Sequence, residues 1–265
     1  ELTGLQSILQ NQIAKFGQHF FKEGSKVIPG NTSYIDNFDC VEINNEYLGV
    51  TVESYIEQLL NRKIVGLTSG ISATIVKILK SENSERGNLT LYVQYESSGD
   101  INTTQNTFGD GENLAANIDI VSGPESSAFI PIGESFATTI SSNATSTAAA
   151  FSIANGVYFV RGNFVNVNAE TILLSQYSNT PTGRVGLRIL EETINSDEDA
   201  NLTDNSKGFN NFAAPGADRL KISCSLTVKG EKDFNDNDFV ELASFKNGEV
   251  KAKTTTPQYN FLADE

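Results

Sequence analysis

The feature that most limits what this chain can fold into is its first twenty-one residues, ELTGLQSILQNQIAKFGQHFF, the one long segment with an unbroken helical period. Its apolar residues Leu2, Leu5, Leu9, Ile13, Phe16 and Phe20 recur at steps of three or four, the spacing that lines up one face of an α-helix. Gln, Asn, Ser and Lys occupy much of the remaining surface. Such a helix is stabilised mainly by burial of its stripe, so it needs a partner surface. Two partners fit. The stripe can lie on strands later in the same chain. Alternatively, Leu2, Leu5, Leu9, Gln12 and Phe16 can serve as alternating a and d positions between identical helices, with Gln12 as a polar layer that fixes register. Ile8 and Ile13 widen the face beyond a narrow seam, which favours packing on a sheet or a mixture of both.

The rest of the chain reads largely as strands. Lys26–Ile28 and the loosely alternating TSYIDNFDCVEI come first. Then Val52, Tyr55, Ile56, Leu59 and Leu60, preceded by Thr51 as a candidate N-cap, predict a second, shorter amphipathic helix over 52–60. Ile71, Ala73 and Ile75 alternate, as do Val76 and Ile78, and the partner run Leu89, Leu91, Val93 and Tyr95 faces them across a polar turn, which predicts a hairpin. Asn155-Gly156 lies between alternating runs and predicts a tight type I′ hairpin, with a second turn at Gly162-Asn163 and another Asn-Gly turn at 247–248. The class expected is α+β and mainly β: an N-terminal helix followed by antiparallel hairpins and meanders. A weak, polar middle section suggests a division into 1–123, the helix with an α+β domain, and 124–265, a β-rich domain.

Composition narrows the function. Thirty-three acidic residues against nineteen basic ones give a net charge of -14, a surface that repels phosphate backbones, so no nucleic-acid partner is expected. No apolar run approaches the length of a membrane span. Methionine is absent even from position 1, and the chain is expected to be a piece of a longer polypeptide. Cys40 and Cys224 sit in separate strand-like runs, and two buried free thiols are the expected state.

Catalytic chemistry finds little to work with. The single histidine, His19, lies in the first helix beside Phe20 and Phe21 and reads as a packed or partly exposed residue rather than a base. No zinc spacing and no G-x-S-x-G elbow occur. The acidic stretches at Ser196–Ala200 and Lys232–Asp238 lack the glycine and terminal glutamate of a calcium loop and read as solvated turns. FGDGEN at Phe108–Asn113 and PTGRVG at Pro181–Gly186 lack the lysine and helix of a phosphate cradle. Accordingly no enzyme, metal or cofactor is expected.

Two passages resemble a known family. ELTGLQSILQNQIAKFGQHFFKEGSKVIPG at Glu1–Gly30 resembles the opening of an uncharacterised domain family of tailed-phage virion proteins, and FAAPGADRLKISCSLTV at Phe212–Val228 is similar to that family's second hallmark. The middle section from Ile101 to Thr147 is the least alike and suggests a phage-specific insertion. The resemblance implies a structural component of a contractile or other phage tail, at the baseplate or the base of a tail fibre, frequent in phages of cyanobacteria. It implies no catalytic residues. The expected location is the virion, after synthesis in the host cytoplasm. The expected partners are copies of the chain itself, as a homotrimer, and other tail or baseplate proteins. The candidate assembly face is Leu2, Leu5, Leu9, Gln12, Ile13, Phe16 and Phe20. An alternative is a glycan-binding adhesin that grips a host glycan through Tyr158, Phe159, Phe164, Phe209 or Phe212. A polysaccharide depolymerase acting through paired carboxylates is the third reading.

Overall fold

The computed structural model describes residues 2–28, 30–97, 105–122 and 129–253. Parts of the expected insertion, 101–104 and 123–128, lie outside the described residues. Strands make up 49% of the described residues and helical residues 13%, so the fold is mainly β, with one α-helix among the described residues, α1 (Leu2–Phe20). The first strands are β1 (Lys26–Ile28), β2 (Thr32–Ile43), β3 (Glu46–Tyr47), β4 (Val50–Thr51), β5 (Lys63–Gly66), β6 (Ser72–Leu79) and β7 (Leu89–Ser97). Then come β8 (Asn113–Ala116), β9 (Ile120–Val121), β10 (Phe129–Ile130), β11 (Ser135–Thr138), β12 (Thr145–Ile153) and β13 (Gly156–Val160). The last are β14 (Asn163–Val167), β15 (Glu170–Ser175), β16 (Gly183–Ile194), β17 (Arg219–Lys229), β18 (Phe239–Lys246) and β19 (Glu249–Lys253). No helix among the described residues is long and apolar enough to cross a membrane.

The chain's contacts group into two compact units, neither of them a continuous stretch. One comprises 1–33, 151–172 and 182–265, and the other 34–150 and 173–181. The chain changes unit within β2, β12 and β15 and again before β16.

In the second unit the expected β6–β7 hairpin is present, with Ala73 opposite Tyr95 and Ile78 opposite Leu91. The register slips between Ile75 and Lys77, which leaves Val76 as the extra residue of a bulge. A bulge flips the parity of a strand. This is why inward positions run 71, 73, 75 and then 78: Ile71, Ala73 and Ile75 are fully buried, and Ile78 packs on the same core. These strands belong to an eight-stranded sheet in the order β11-β8-β5-β6-β7-β2-β12-β15.

The expected helix over 52–60 is not formed. Val52–Ser54 and Ile56–Leu59 are separate 3-10 turns, and Thr51 makes no capping hydrogen bond through its side chain. The cause is at Tyr55, whose backbone (φ -129°, ψ -10°) leaves the helical region while its hydroxyl donates to the Phe136 carbonyl at 2.7 Å. Leu60 is extended, and Asn61 enters the left-handed region at φ 60°. The apolar spacing still does its work, since Val52, Tyr55, Ile56 and Leu59 all enter the core and a three-residue turn serves that spacing too.

Carboxylates hold the loops of this unit. Glu112 is buried and accepts backbone N–H bonds from Thr68, Ser69 and Gly109. Asp110 accepts from the N–H groups of Asn143 and Ala144. Glu42 is fully buried, and the Arg86 guanidinium donates to it at 2.5 Å and the Asn88 amide at 2.8 Å. The sulfur of buried Cys40 lies 3.0 Å from the Ser146 hydroxyl, and burial pushes the thiol pKa up.

The first unit contains a four-stranded antiparallel sheet, β17-β16-β18-β19, and a three-stranded one, β1-β13-β14. The β18–β19 turn is as expected: Asn247 and Gly248 take φ 50° and 82° between the paired Lys246 and Glu249. Asn155-Gly156 is a correction. Its flanking strands do not pair with each other, and neither residue has positive φ. Here the chain passes instead from β12 to pair with β1. Ala154 N–H donates to the Asn31 carbonyl at 2.8 Å, and the Asn155 amide oxygen accepts from Ala169 N–H at 2.6 Å. The two-residue I′ loop falls at Arg161 (φ 49°) and Gly162 (φ 77°), between paired Val160 and Asn163. Arg161 is held there by contacts outside the turn: Glu191 at 2.8 Å, Asp238, and Glu23, which accepts its backbone N–H. Cys224 is a free thiol like Cys40, but only half-buried.

The reassigned turn is testable at Gly156, where an added Cβ would lie 2.8 Å from Gly30 N and 3.0 Å from Ile28 O. Both are backbone atoms and cannot swing aside. Gly156→Ala is expected to lower unfolding stability by about 1–3 kcal/mol in guanidinium titrations; an unchanged midpoint would contradict the β1–β13 pairing.

Candidate functional site

Helix α1 carries the residues singled out from sequence, and what holds it in place determines which of them are available. Phe21 N–H closes its last turn on the Gly17 carbonyl at 2.8 Å. The chain then turns at Gly24 (φ 78°) and enters β1. Gly17 is buried against the ring of Phe159 on β13, so closely that a Cβ there would fall 2.3 Å from the ring. Ala14 sits one turn back, and its Cβ would lie 2.9 Å from a Cβ built on Gly162. Phe21 completes the anchor, with ring centroids 5.9 Å from Phe159 and 5.8 Å edge-on to Phe164.

The helix is therefore seated on its small residues. At about 100° per residue, the Ala14/Gly17/Phe21 side and the large apolar stripe are centred roughly 130° apart around the axis. Leu5, Ile8, Leu9, Ile13 and Phe16 are each 50–62% exposed. Gln12 is exposed among them, and Phe20 is half-buried with its ring 4.7 Å from Phe16. The side chain of Leu2 lies outside the described residues. The expectation that the stripe packs on the strands of the same chain is thus overturned for Leu5, Leu9, Ile13 and Phe16. Small side chains let the helix approach Phe159 more closely than leucines could. Ala14 and Gly17, spaced i, i+3, are the seating residues of the helix that the reading from sequence passed over; a pair of small residues on one helix face is the signal that marks a close approach.

The aromatic candidates separate sharply. Tyr158 and Phe159 are core residues with essentially no exposure, while Phe164 packs on Phe21 and Phe159 and is still 40% exposed. Phe209 and Phe212 are exposed. They belong to the long loop after β16, which also forms a polar cavity of about 430 Å³ lined by Asn201, Thr203, Asp204, Asn211 and Arg219. Asp204 is held below the ordinary carboxylate range by hydrogen bonds from the Ser206 hydroxyl and N–H. Ala213 in the same loop takes φ 63°, a strained conformation for a residue with a Cβ.

Several acids of the two acidic stretches turn their side chains onto the protein itself. Glu198 accepts from the Asn195 N–H, and Asp199 accepts from that of Asn201. In the second stretch the Lys229 ammonium bonds Asp236 and pairs with Asp233 at 3.5 Å, and the Asp236 pKa is lowered by that bond. Among the described residues no three His, Cys, Asp or Glu side chains are grouped to hold a metal ion. His19 lies exposed on α1.

Residues 137–264 match the model of a domain of unknown function, DUF4815. The matched stretch begins in β11, contains β12 to β19 and includes the Phe212–Val228 passage; α1 lies outside it. Comparisons with curated proteins and with solved structures give no match.

The anchoring geometry separates two glycine substitutions in one helix. Gly4 has no atom within 4 Å of an added Cβ, so Gly4→Ala is expected to raise stability by up to about 1 kcal/mol through helix propensity. Gly17→Ala gains the same propensity but drives its methyl into buried Phe159, and is expected to cost about 1–3 kcal/mol net. Thermal unfolding of the two variants checks the opposite signs.

Proposed function

We propose that this chain is a structural component of a tailed-phage virion, at the baseplate or the base of a tail fibre, and that it acts by assembly rather than catalysis. The observation that carries the reading is the apolar face of α1, anchored from behind and uncovered in front. Five large side chains half or more exposed in one stripe amount to on the order of 500 Å², near the upper end for the largest patch on a monomer. Covering that area at about 25 cal/mol per Å² supplies on the order of 10 kcal/mol per helix, before the costs of association. The resemblance of Glu1–Gly30 and Phe212–Val228 to tailed-phage virion proteins supports the same reading.

Copies of the chain are the simplest cover, joined as a homotrimer with the helices side by side and Gln12 as the polar layer among Leu5, Leu9 and Phe16. Other tail or baseplate proteins join the assembly through the remaining surface. Light scattering on the purified chain is expected to give three times the 28.7 kDa protomer mass, and Leu9→Glu with Phe16→Glu is expected to give a folded monomer. A wild-type chain that stays monomeric at high concentration overturns the homotypic helix contact. Absence of its density from intact tailed particles overturns the virion reading itself.

A second reading, a glycan-binding module, is favoured by one observation: exposed Phe209 and Phe212 occur in the same loop as the polar cavity. Flat apolar rings with amide and guanidinium groups suit a sugar. Glycan-array binding by the wild-type chain, lost in Phe212→Ala and Asn211→Ala, is its test.

A further inference from the structure

A different feature, independent of the assembly reading, lies in the second unit where two strands part. β2 and β7 pair from Ile43–Leu89 as far as Cys40–Tyr92. Beyond that point β7 remains bonded to β6 on its other edge, Val93 to Ile75 and Gln94 to Thr74, while no further β2–β7 pair is formed among the described residues. The parting strands leave a cleft of about 410 Å³, walled by Ile35, Phe38, Val76 and Val93 and edged by Asn37 and Gln94. Asp39 and Tyr95 line it as well, and both also line a smaller cavity of about 130 Å³ among the hydroxyl-bearing Thr107, Thr145, Ser146 and Thr147.

Asp39 is the unusual group here. Its carboxylate is half-buried and has no hydrogen bond or ion pair to any described residue. The other acids of this unit that are buried or half-buried are satisfied: Glu42 has Arg86 and Asn88, Glu53 has Ser81 and Glu112 has three N–H groups. Burial raises the Asp39 pKa, with no charged neighbour contributing to the shift. Burial pushes the Tyr95 hydroxyl up as well, and its oxygen accepts the Phe108 N–H at 3.3 Å.

We propose that the cleft between β2 and β7 is a binding site for a small organic ammonium ion, with the charged head at Asp39 and the alkyl body against Ile35, Phe38, Val76 and Val93. Each part of the ligand answers a part of the site. A partly desolvated carboxylate without a partner favours a cation that can also donate hydrogen bonds. The rings of Phe38 and Tyr95 attract a positive centre rather than a negative one. Aliphatic walls select a cation with methylene groups over a bare metal ion, which would need several ligands and finds one carboxylate. An overall charge of -14 raises the local concentration of cations at the protein surface.

The test is a nuclear magnetic resonance titration of the intact chain with n-butylammonium, and in parallel with 1-butanol, which has the same alkyl chain and no charge. Saturable shifts at Asp39, Val93 and Tyr95 are expected with the amine, and binding on the order of tenfold or more weaker with the alcohol. Asp39→Asn is expected to bring the amine down to the level of the alcohol. Equal responses to the two compounds, no saturable response to the amine, or undiminished amine binding by Asp39→Asn would each overturn the proposal. Should Asp39→Asn not fold, the comparison of amine and alcohol on the wild-type chain decides by itself.

Discussion

The close contact between Gly17 and Phe159 governs the rest of the first unit's surface. With a glycine at that point the helix axis comes within reach of a buried ring, and Ala14 beside Gly162 keeps the approach close one turn back. Once the helix is seated on that side, its rotation about its own axis is fixed. Leu5, Ile8, Leu9, Ile13 and Phe16 then have nowhere to go but outward. Were a leucine at position 17, the helix would stand off and could roll its larger residues onto the sheet. A single missing side chain thus leaves on the surface what would otherwise be core material.

Local patterns predicted what local physics decides. The helix, the β6–β7 hairpin and the Asn247-Gly248 turn follow from periodicity and from the φ values that Asn and Gly adopt easily. Even the break in alternation at Val76 was written in the residues, and in three dimensions it is a bulge. The failures share one cause, a distant partner outbidding a local preference. Tyr55 is drawn to the Phe136 carbonyl and the expected helix over 52–60 splits into two turns. Asn155 is taken by Ala169, and the tight turn moves to Arg161-Gly162, where acids from β16 and the segment before β18 hold the arginine. As for the candidate site, the stripe itself was legible and its exposure was not, because two faces of α1 could have been the packed one. The cleft at Asp39 was not legible at all, since it exists only because two strands separate after a few paired residues.

The acidity of the chain has a structural side that composition conceals. Glu112, Asp110, Glu53 and Asp204 each accept from backbone N–H groups, so in these loops carboxylates replace the neighbouring strand that would otherwise satisfy the main chain. This suits a protein with long stretches of Ser, Thr, Asn and Gly between short strands. Half-buried Asp39, which has no partner among the described residues, stands apart from Glu42, Glu53 and Glu112, the other acids withdrawn from solvent in its unit.

The interleaving of the two units bears on how the chain comes off the ribosome. Gly17 precedes Phe159 by about 140 residues, and the sheet that completes the first unit ends with β19 at Lys253. At roughly 5–20 residues per second the opening helix waits on the order of ten seconds for the ring that will seat it. During that interval neither its small face nor its greasy face has an intramolecular partner. Nascent neighbours on one messenger would present the same bare helices to one another, so the first contacts this segment makes in the cell can be with its sister chains, ahead of its own.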